Sequence, residues 1–161
     1  MVYSVNMLGY NIATMPTQLN EEVSEATEVK NEPKHLGLQG KKILWVEDDK
    51  FLGNILKKRI SRIGCDMFLA INGEEALEHL VKTTPDIIVL DLVLPGMSGF
   101  DILKRIRDDQ NYKNVPILIL SNLGQSGDIE RAKILGAEKF LIKAAVSLDE
   151  ILREIEMLVK K

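Results

Sequence analysis

Two four-residue runs, Ile87–Leu90 and Ile117–Leu120, are apolar at every position. A strand with one wet face alternates apolar and polar residues. One without alternation is covered on both faces, as in a parallel sheet sandwiched between helices. The rest of the chain from Lys41 arranges itself around these two runs, which extend to Asp86–Leu90 and Val115–Leu120. Ile43–Val46, Cys65–Ala70 and Glu138–Ile142 read as three further strands. Between them lie amphipathic stretches. Lys50–Ile63 carries Phe51, Leu52, Ile55, Leu56, Ile60 and Ile63 at helical spacing. Asn72 caps a helix through Val81, and Ser98 caps one through Arg107. Another starts at Ser126 or Asp128 and ends at Gly136, a helix stop. Ser147 with Glu150 three residues later is a capping box for the last helix. Five strands alternating with five helices predict an α/β fold with a five-stranded parallel sheet covered on both faces.

The chain has 161 residues, enough for one domain and a tail. Its charge is unevenly spread. Residues 1–40 hold Glu21, Glu22, Glu25, Glu28 and Glu32 against Lys30 and Lys34, which is the whole net charge of −3. Residues 16–40 read as a linker, with Pro16, Pro33, Gly37 and Gly40 around the acidic stretch and little apolar area to offset chain entropy. Residues 1–15 are more apolar but aperiodic. They are a docking segment, a disordered one, or a start placed ahead of Met7 or Met15. The expected division is thus an acidic, disordered extension over 1–40 and a globular domain over 41–161.

Several function classes drop out. One cysteine, Cys65, allows neither an intrachain disulfide nor a cysteine-rich zinc site. No apolar run approaches the ~18 residues of a membrane span, and the N-terminus is not a secretory signal. A net negative charge argues against general nucleic-acid affinity. The expectation is a cytoplasmic protein that engages neither membrane nor nucleic acid.

In open parallel sheets the functional site lies at the carboxyl ends of the strands. After the first strand come Glu47, Asp48 and Asp49, and after the third comes Asp91. Ser121 follows the fourth, and Lys143 follows the fifth. Clustered carboxylates stay ionised together when a cation joins them, and hard oxygen ligands suit Mg²⁺. A hydroxyl and an ammonium alongside suit an anion, so the set reads as a phosphoryl-transfer site. Each residue also has a plainer reading. An acid run after a strand caps the next helix, Ser121 can be a turn hydroxyl, and Lys143 can snorkel from a strand end. Asp91 is hardest to explain plainly, because it interrupts an apolar run where an unpaired charge is costly.

The segments ILWVEDD (43–49), DIIVLDLVLPGMSGFDIL (86–103), VPILILSN (115–122) and AEKFLIK (137–143) resemble the response-regulator receiver domain of two-component signalling. The resemblance spans residues 41–161. Ser121 stands 30 residues after Asp91, and Lys143 stands 22 after Ser121. It implies a flavodoxin-like three-layer (βα)5 sandwich. It further implies that Asp91 is the phosphoacceptor and that Mg²⁺ (or Mn²⁺) is held by Asp48, Asp91 and the backbone carbonyl of Val93, with Glu47 acting through water. Ser121 is then the switch hydroxyl, Lys143 the cation that pairs with the phosphoryl group, and Phe140 the aromatic switch residue. Asp49 is a spare acid. The implied partners are a sensor histidine kinase or phosphotransfer protein and a downstream protein target. The output face would be the fourth helix, fifth strand and fifth helix (residues 126–160), in a monomer or a phosphorylation-linked dimer.

Two features depart from the usual pattern. The residue after the lysine is often a cis proline, and here it is Ala144. Asn122 stands where a smaller residue is common. Val93 and Leu123, two residues past Asp91 and Ser121, flank the path of hydrolytic water and cannot orient it by hydrogen bonding, which predicts a long-lived phosphorylated form. The chain ends one helix after Lys143, so the expected type is a receiver without an output domain. The competing readings are a receiver-like interaction module that has lost phosphorylation and an aspartate-nucleophile phosphatase. The phosphatase type wants a second acid where Val93 stands. A flavin-binding protein would want glycines and hydroxyls where the acidic loop lies.

Overall fold

The computed structural model describes residues 35–160; the readings made for residues 1–34 lie outside the described residues. The described part alternates strand and helix throughout: β1 (Lys42–Val46), α1 (Lys50–Arg62), β2 (Asp66–Ala70), α2 (Gly73–Lys82), β3 (Ile87–Leu90), α3 (Gly99–Asp108), β4 (Ile117–Ser121), α4 (Ser126–Ile134), β5 (Lys139–Ile142) and α5 (Leu148–Val159).

All four strand pairings are parallel, and the sheet order is β2-β1-β3-β4-β5. Every residue of β3 and β4 is buried, as their unbroken apolar runs require. Two cores flank the sheet. One lies under α2, α3 and α4 and includes Leu80, Ile102, Ile106 and Ala132. The other lies under α1 and α5 and includes Leu56, Ile60, Leu152 and Ile155. Layers, order and connections are those of the flavodoxin-like α/β sandwich.

The caps form where the short polar residues predict them. The side chains of Asn72, Ser98 and Ser147 accept backbone N–H groups at the starts of α2, α3 and α5, and Ser147 with Glu150 completes the capping box. Helix α4 starts at Ser126 and lacks a side-chain cap, and only Ala132 on it is buried. It is the helix least tied down by packing.

Some details differ from the sequence reading. Phe51 is 77% exposed and Ile55 is also exposed, so the inward face of α1 is carried by Gly53, Leu56 and Ile60. Helix and sheet meet closely at Gly53, where a Cβ would lie 2.3 Å from the Leu69 side chain, and at about 100° per residue Phe51 falls on the opposite side of the helix. Within the stretch that read as linker, His35 and Leu38 are buried, Leu38 in the α1/α5 core.

Candidate functional site

The strand ladders continue one residue beyond β1 and β3 and carry the two key acids with them. The Glu47 N–H donates to Ala70 O (2.9 Å), and the Asp91 N–H donates to Val46 O (3.1 Å). Both residues therefore keep strand geometry while their side chains leave the sheet at its carboxyl edge. Ser121 ends β4, and Lys143 follows β5 and opens a single 3-10 turn, Lys143–Ala145. No cis peptide occurs among the described residues, so the Lys143–Ala144 bond is trans.

These groups meet at one point. Asp91 is buried and receives three donors. Oδ1 accepts the Ser121 hydroxyl at 2.7 Å and the Val93 N–H at 3.0 Å, and Oδ2 accepts the Lys143 ammonium at 2.5 Å. Lys143 also donates to Glu47 Oε2 at 2.5 Å, so one ammonium bridges two carboxylates. Asp48 lies on the solvent side, and Glu47, Asp48 and Asp91 each bring a carboxylate oxygen within 4.8 Å of the others. Asp49 turns away. Its side chain accepts the Phe51 and Leu52 N–H groups at 2.9 and 3.0 Å and caps α1, the plainer of the two roles open to an acid after a strand.

The charges explain the chemistry. Burial pushes the Glu47 carboxyl above its ordinary range, and the Lys143 hydrogen bond and charge recover only part of that. Burial works against the Lys143 ammonium too, but hydrogen bonds to Asp91 and Glu47 outweigh it and hold lysine above its usual range. Three carboxylates face one ammonium, which leaves two negative charges for a divalent cation. All donors are hard oxygens, and the exposed Asp48 keeps one side open to metal-bound water, so the set suits Mg²⁺ or Mn²⁺.

Of the other residues singled out in the sequence, Val93 is 55% exposed at the mouth of the site. Leu123 is half-buried, and Asn122 is exposed. Phe140, on β5, is half-buried and packs against the α2–α4 core. Trp45 is buried one residue before Val46. One supporting residue escaped the sequence reading: Gly99, at the first position of α3, lies against the backbone of Asp91. A glycine inside a capped helix start is the only local signal it leaves.

Comparison with known proteins agrees with this geometry. Residues 43–156 match the response regulator receiver domain family. The chain is 28% identical over 117 residues to Protein PilG of Pseudomonas aeruginosa, covering 73% of this chain and 86% of that one. It is 36% identical over 114 residues to the Regulator of RpoS of Escherichia coli K12, covering 71% of this chain but only 33% of that one. Among solved structures, the receiver domain of the Francisella response regulator 1452 superposes with a TM-score of 0.69 at 31% identity, covering 75% of this chain and 98% of that one. The receiver domain of the sensor histidine kinase PA1611 of Pseudomonas aeruginosa PAO1, which has a magnesium ion in its active-site cleft, superposes with a TM-score of 0.68 at 25% identity, covering 76% and 99%. With its parallel sheet, its acidic edge and a family match over most of its length, the chain belongs to the response regulator receiver domain family.

Proposed function

We propose that the protein is a phosphoacceptor switch of a two-component pathway, with Asp91 as the acceptor. The observation that carries this reading is the set of donors on the Asp91 carboxylate: a hydroxyl, an ammonium and a backbone N–H, all in one half-closed pocket. A phosphoryl group on Asp91 would offer new oxygens to the same donors.

One Asp91 oxygen attacks the phosphorus of a phosphohistidine on a sensor kinase or phosphotransfer protein. The new O–P bond makes an acyl phosphate as the P–N bond breaks, and the imidazole nitrogen leaves with the electron pair. A divalent cation held by Asp48, Asp91 and the Val93 carbonyl, with Glu47 reaching it through water, would neutralise charge on the phosphoryl oxygens. Lys143 and Ser121 then exchange Asp91 for phosphoryl oxygens, and Phe140 follows Ser121. Donors that gain partners only in the phosphorylated form are what shift a two-state equilibrium. The face formed by α4, β5 and α5 reports the change to a protein target, and loosely held α4 is the element with most freedom to move. In this reading the receiver, to whose core Leu38 also belongs, follows an acidic extension, works in the cytoplasm and catalyses only its own phosphorylation and dephosphorylation.

The test is incubation with acetyl phosphate, with and without Mg²⁺, for wild type and Asp91→Asn, read by intact mass and Trp45 fluorescence. A Mg²⁺-dependent gain of one phosphoryl group, absent in Asp91→Asn, is the expected result. A folded protein that gains no adduct and shows no fluorescence change would instead be a constitutive interaction module.

A further inference from the structure

Two arginines tie α4 and the turn after it to α3. The first is Arg107, in the last turn of α3. Its Nε donates to Gly136 O at 2.9 Å, just past the end of α4, and its Nη2 donates to both oxygens of the Glu138 carboxylate at 3.1 and 2.9 Å. Glu138 Oε2 in turn accepts the Ile117 N–H of β4 at 2.6 Å. Gly136, at φ +94°, leaves room for this arginine: a Cβ there would lie 3.0 Å from Arg107 Nε. The Gly136 N–H donates to Lys133 O and the Ala137 N–H to Ala132 O, so the back of α4 is closed on itself as well as pinned to α3.

The front of α4 has nothing comparable. It lacks a side-chain cap, and Ala132 is its one buried residue. Gly127, in its first turn, is a poor helix former with open space around it. The second arginine, Arg131, reaches from α4 to α3 and lays its guanidinium over the Phe100 ring, 4.0 Å from the centroid. That is well inside the ~6 Å range of a cation–π contact. Phe100 is 7% exposed, so the ring is held by the core beneath it. It directly follows Gly99, which lies against the Asp91 backbone. The ring under Arg131 thus belongs to the turn of α3 that supports Asp91.

We propose that Arg131 on Phe100 is a clasp that holds the front of α4 to the turn of α3 behind Asp91, while Arg107 pins the back, so that α4 opens from its N-terminal end. The pin is a charge-assisted pair whose arginine side chain is only 14% exposed, and the clasp is a single contact made by an exposed arginine. The clasp is therefore the tie that gives first. It needs neither metal nor phosphoryl group, so it stands or falls apart from the phosphoacceptor reading.

Amide hydrogen exchange on the full chain tests it, read by NMR at one pH and corrected for intrinsic exchange rates. The Ile129 and Glu130 amides report the front of α4, the Gly136 and Ala137 amides report the pinned back, and Val89 in the sheet centre reports the whole fold. Arg131→Met keeps the stem and removes the cation. It is expected to lower protection at the front roughly threefold to fivefold and to leave Gly136, Ala137 and Val89 unchanged. In a Phe100→Leu background, Arg131→Met is expected to have no further effect. If Phe100→Leu lowers Val89 protection, the upfield ring-current shift of the Arg131 side-chain protons in wild type decides in its place. Unchanged front protection in Arg131→Met, an equal loss at front and back, a loss that persists without the ring, or unshifted Arg131 protons would each overturn the clasp.

Discussion

Gly99 stands directly against the backbone of Asp91. A Cβ on Gly99 would lie 2.2 Å from the Asp91 carbonyl oxygen and 2.5 Å from Leu92 Cα, and its own N–H donates to Leu92 O at 3.0 Å. The obstacle is backbone, which cannot swing aside as a side-chain end can. Gly99→Ala therefore has to move the loop that carries Asp91. The expected cost is ~2–3 kcal/mol in urea unfolding, together with weaker divalent-cation binding measured by titration of Trp45 fluorescence. A variant as stable as wild type would show that the loop yields freely.

Lys143 is the only cation between Glu47 and Asp91 among the described residues. Removing it in Lys143→Met leaves two buried carboxylates facing each other. Breaking a buried pair from one side costs about 3–5 kcal/mol, and the pocket's partial exposure places the loss at or below the lower end. Loss of a positive charge should at the same time tighten Mg²⁺ binding. Calorimetric titration with parallel urea melts checks both. Weaker Mg²⁺ binding in a folded variant would contradict the electrostatic account.

Glu47 is held above its ordinary carboxyl range mainly by burial. An acid whose folded value is raised contributes stability fully below the unfolded value and loses it as pH rises through the folded one. Metal-free protein should thus become less stable as pH climbs through the weakly acidic range. Glu47→Gln should flatten that slope, raise the melting temperature at pH 7 and weaken Mg²⁺ binding. Thermal melts from pH 4.5 to 7.5 in EDTA give the comparison, and an unchanged slope in Glu47→Gln would rule this source out.

Cys65 is buried, and burial, with help from the Asp66 and Asp86 charges, pushes its thiol from 9.0 up to about 11. Only on the order of one part in a thousand is then thiolate at pH 8, and the thiolate is the reactive form. Folded protein should resist iodoacetamide for hours, and urea-unfolded protein should react within minutes. The unfolded thiol ionises first, so stability should also fall between about pH 9 and 11. Fast labelling of the folded state would contradict this burial.

If Asp91 is phosphorylated, Val93 and Leu123 leave the hydrolytic water without a polar guide. Val93→Asn with Leu123→Glu should shorten the phosphorylated half-life by ~10-fold or more, since a positioned base or hydrogen-bond acceptor is worth at least that much. Intact mass against time after donor removal checks it.

Much of this protein was legible in the residues themselves. The unbroken runs of β3 and β4, the caps at Asn72, Ser98 and Ser147 and the acids just past β1 and β3 all follow from local chemistry, which acts over a few residues. Periodicity was less reliable on α1, where Phe51 is apolar yet faces solvent, on the side of the helix opposite Gly53, Leu56 and Ile60.

By itself, then, the sequence determined the layer architecture and which side chains stand at the carboxyl edge of the sheet, because strand burial and helix caps are written in neighbouring residues. Only the tertiary structure decided that Lys143 spans Glu47 and Asp91 across 96 and 52 residues. It alone decided that Asp49 caps α1 instead of joining the pocket, that Gly99 must lack a side chain, and that Arg131 rests on Phe100. Each of these is a contact between groups that meet only after whole elements pack. Its distance is set by that packing, and no local pattern carries it.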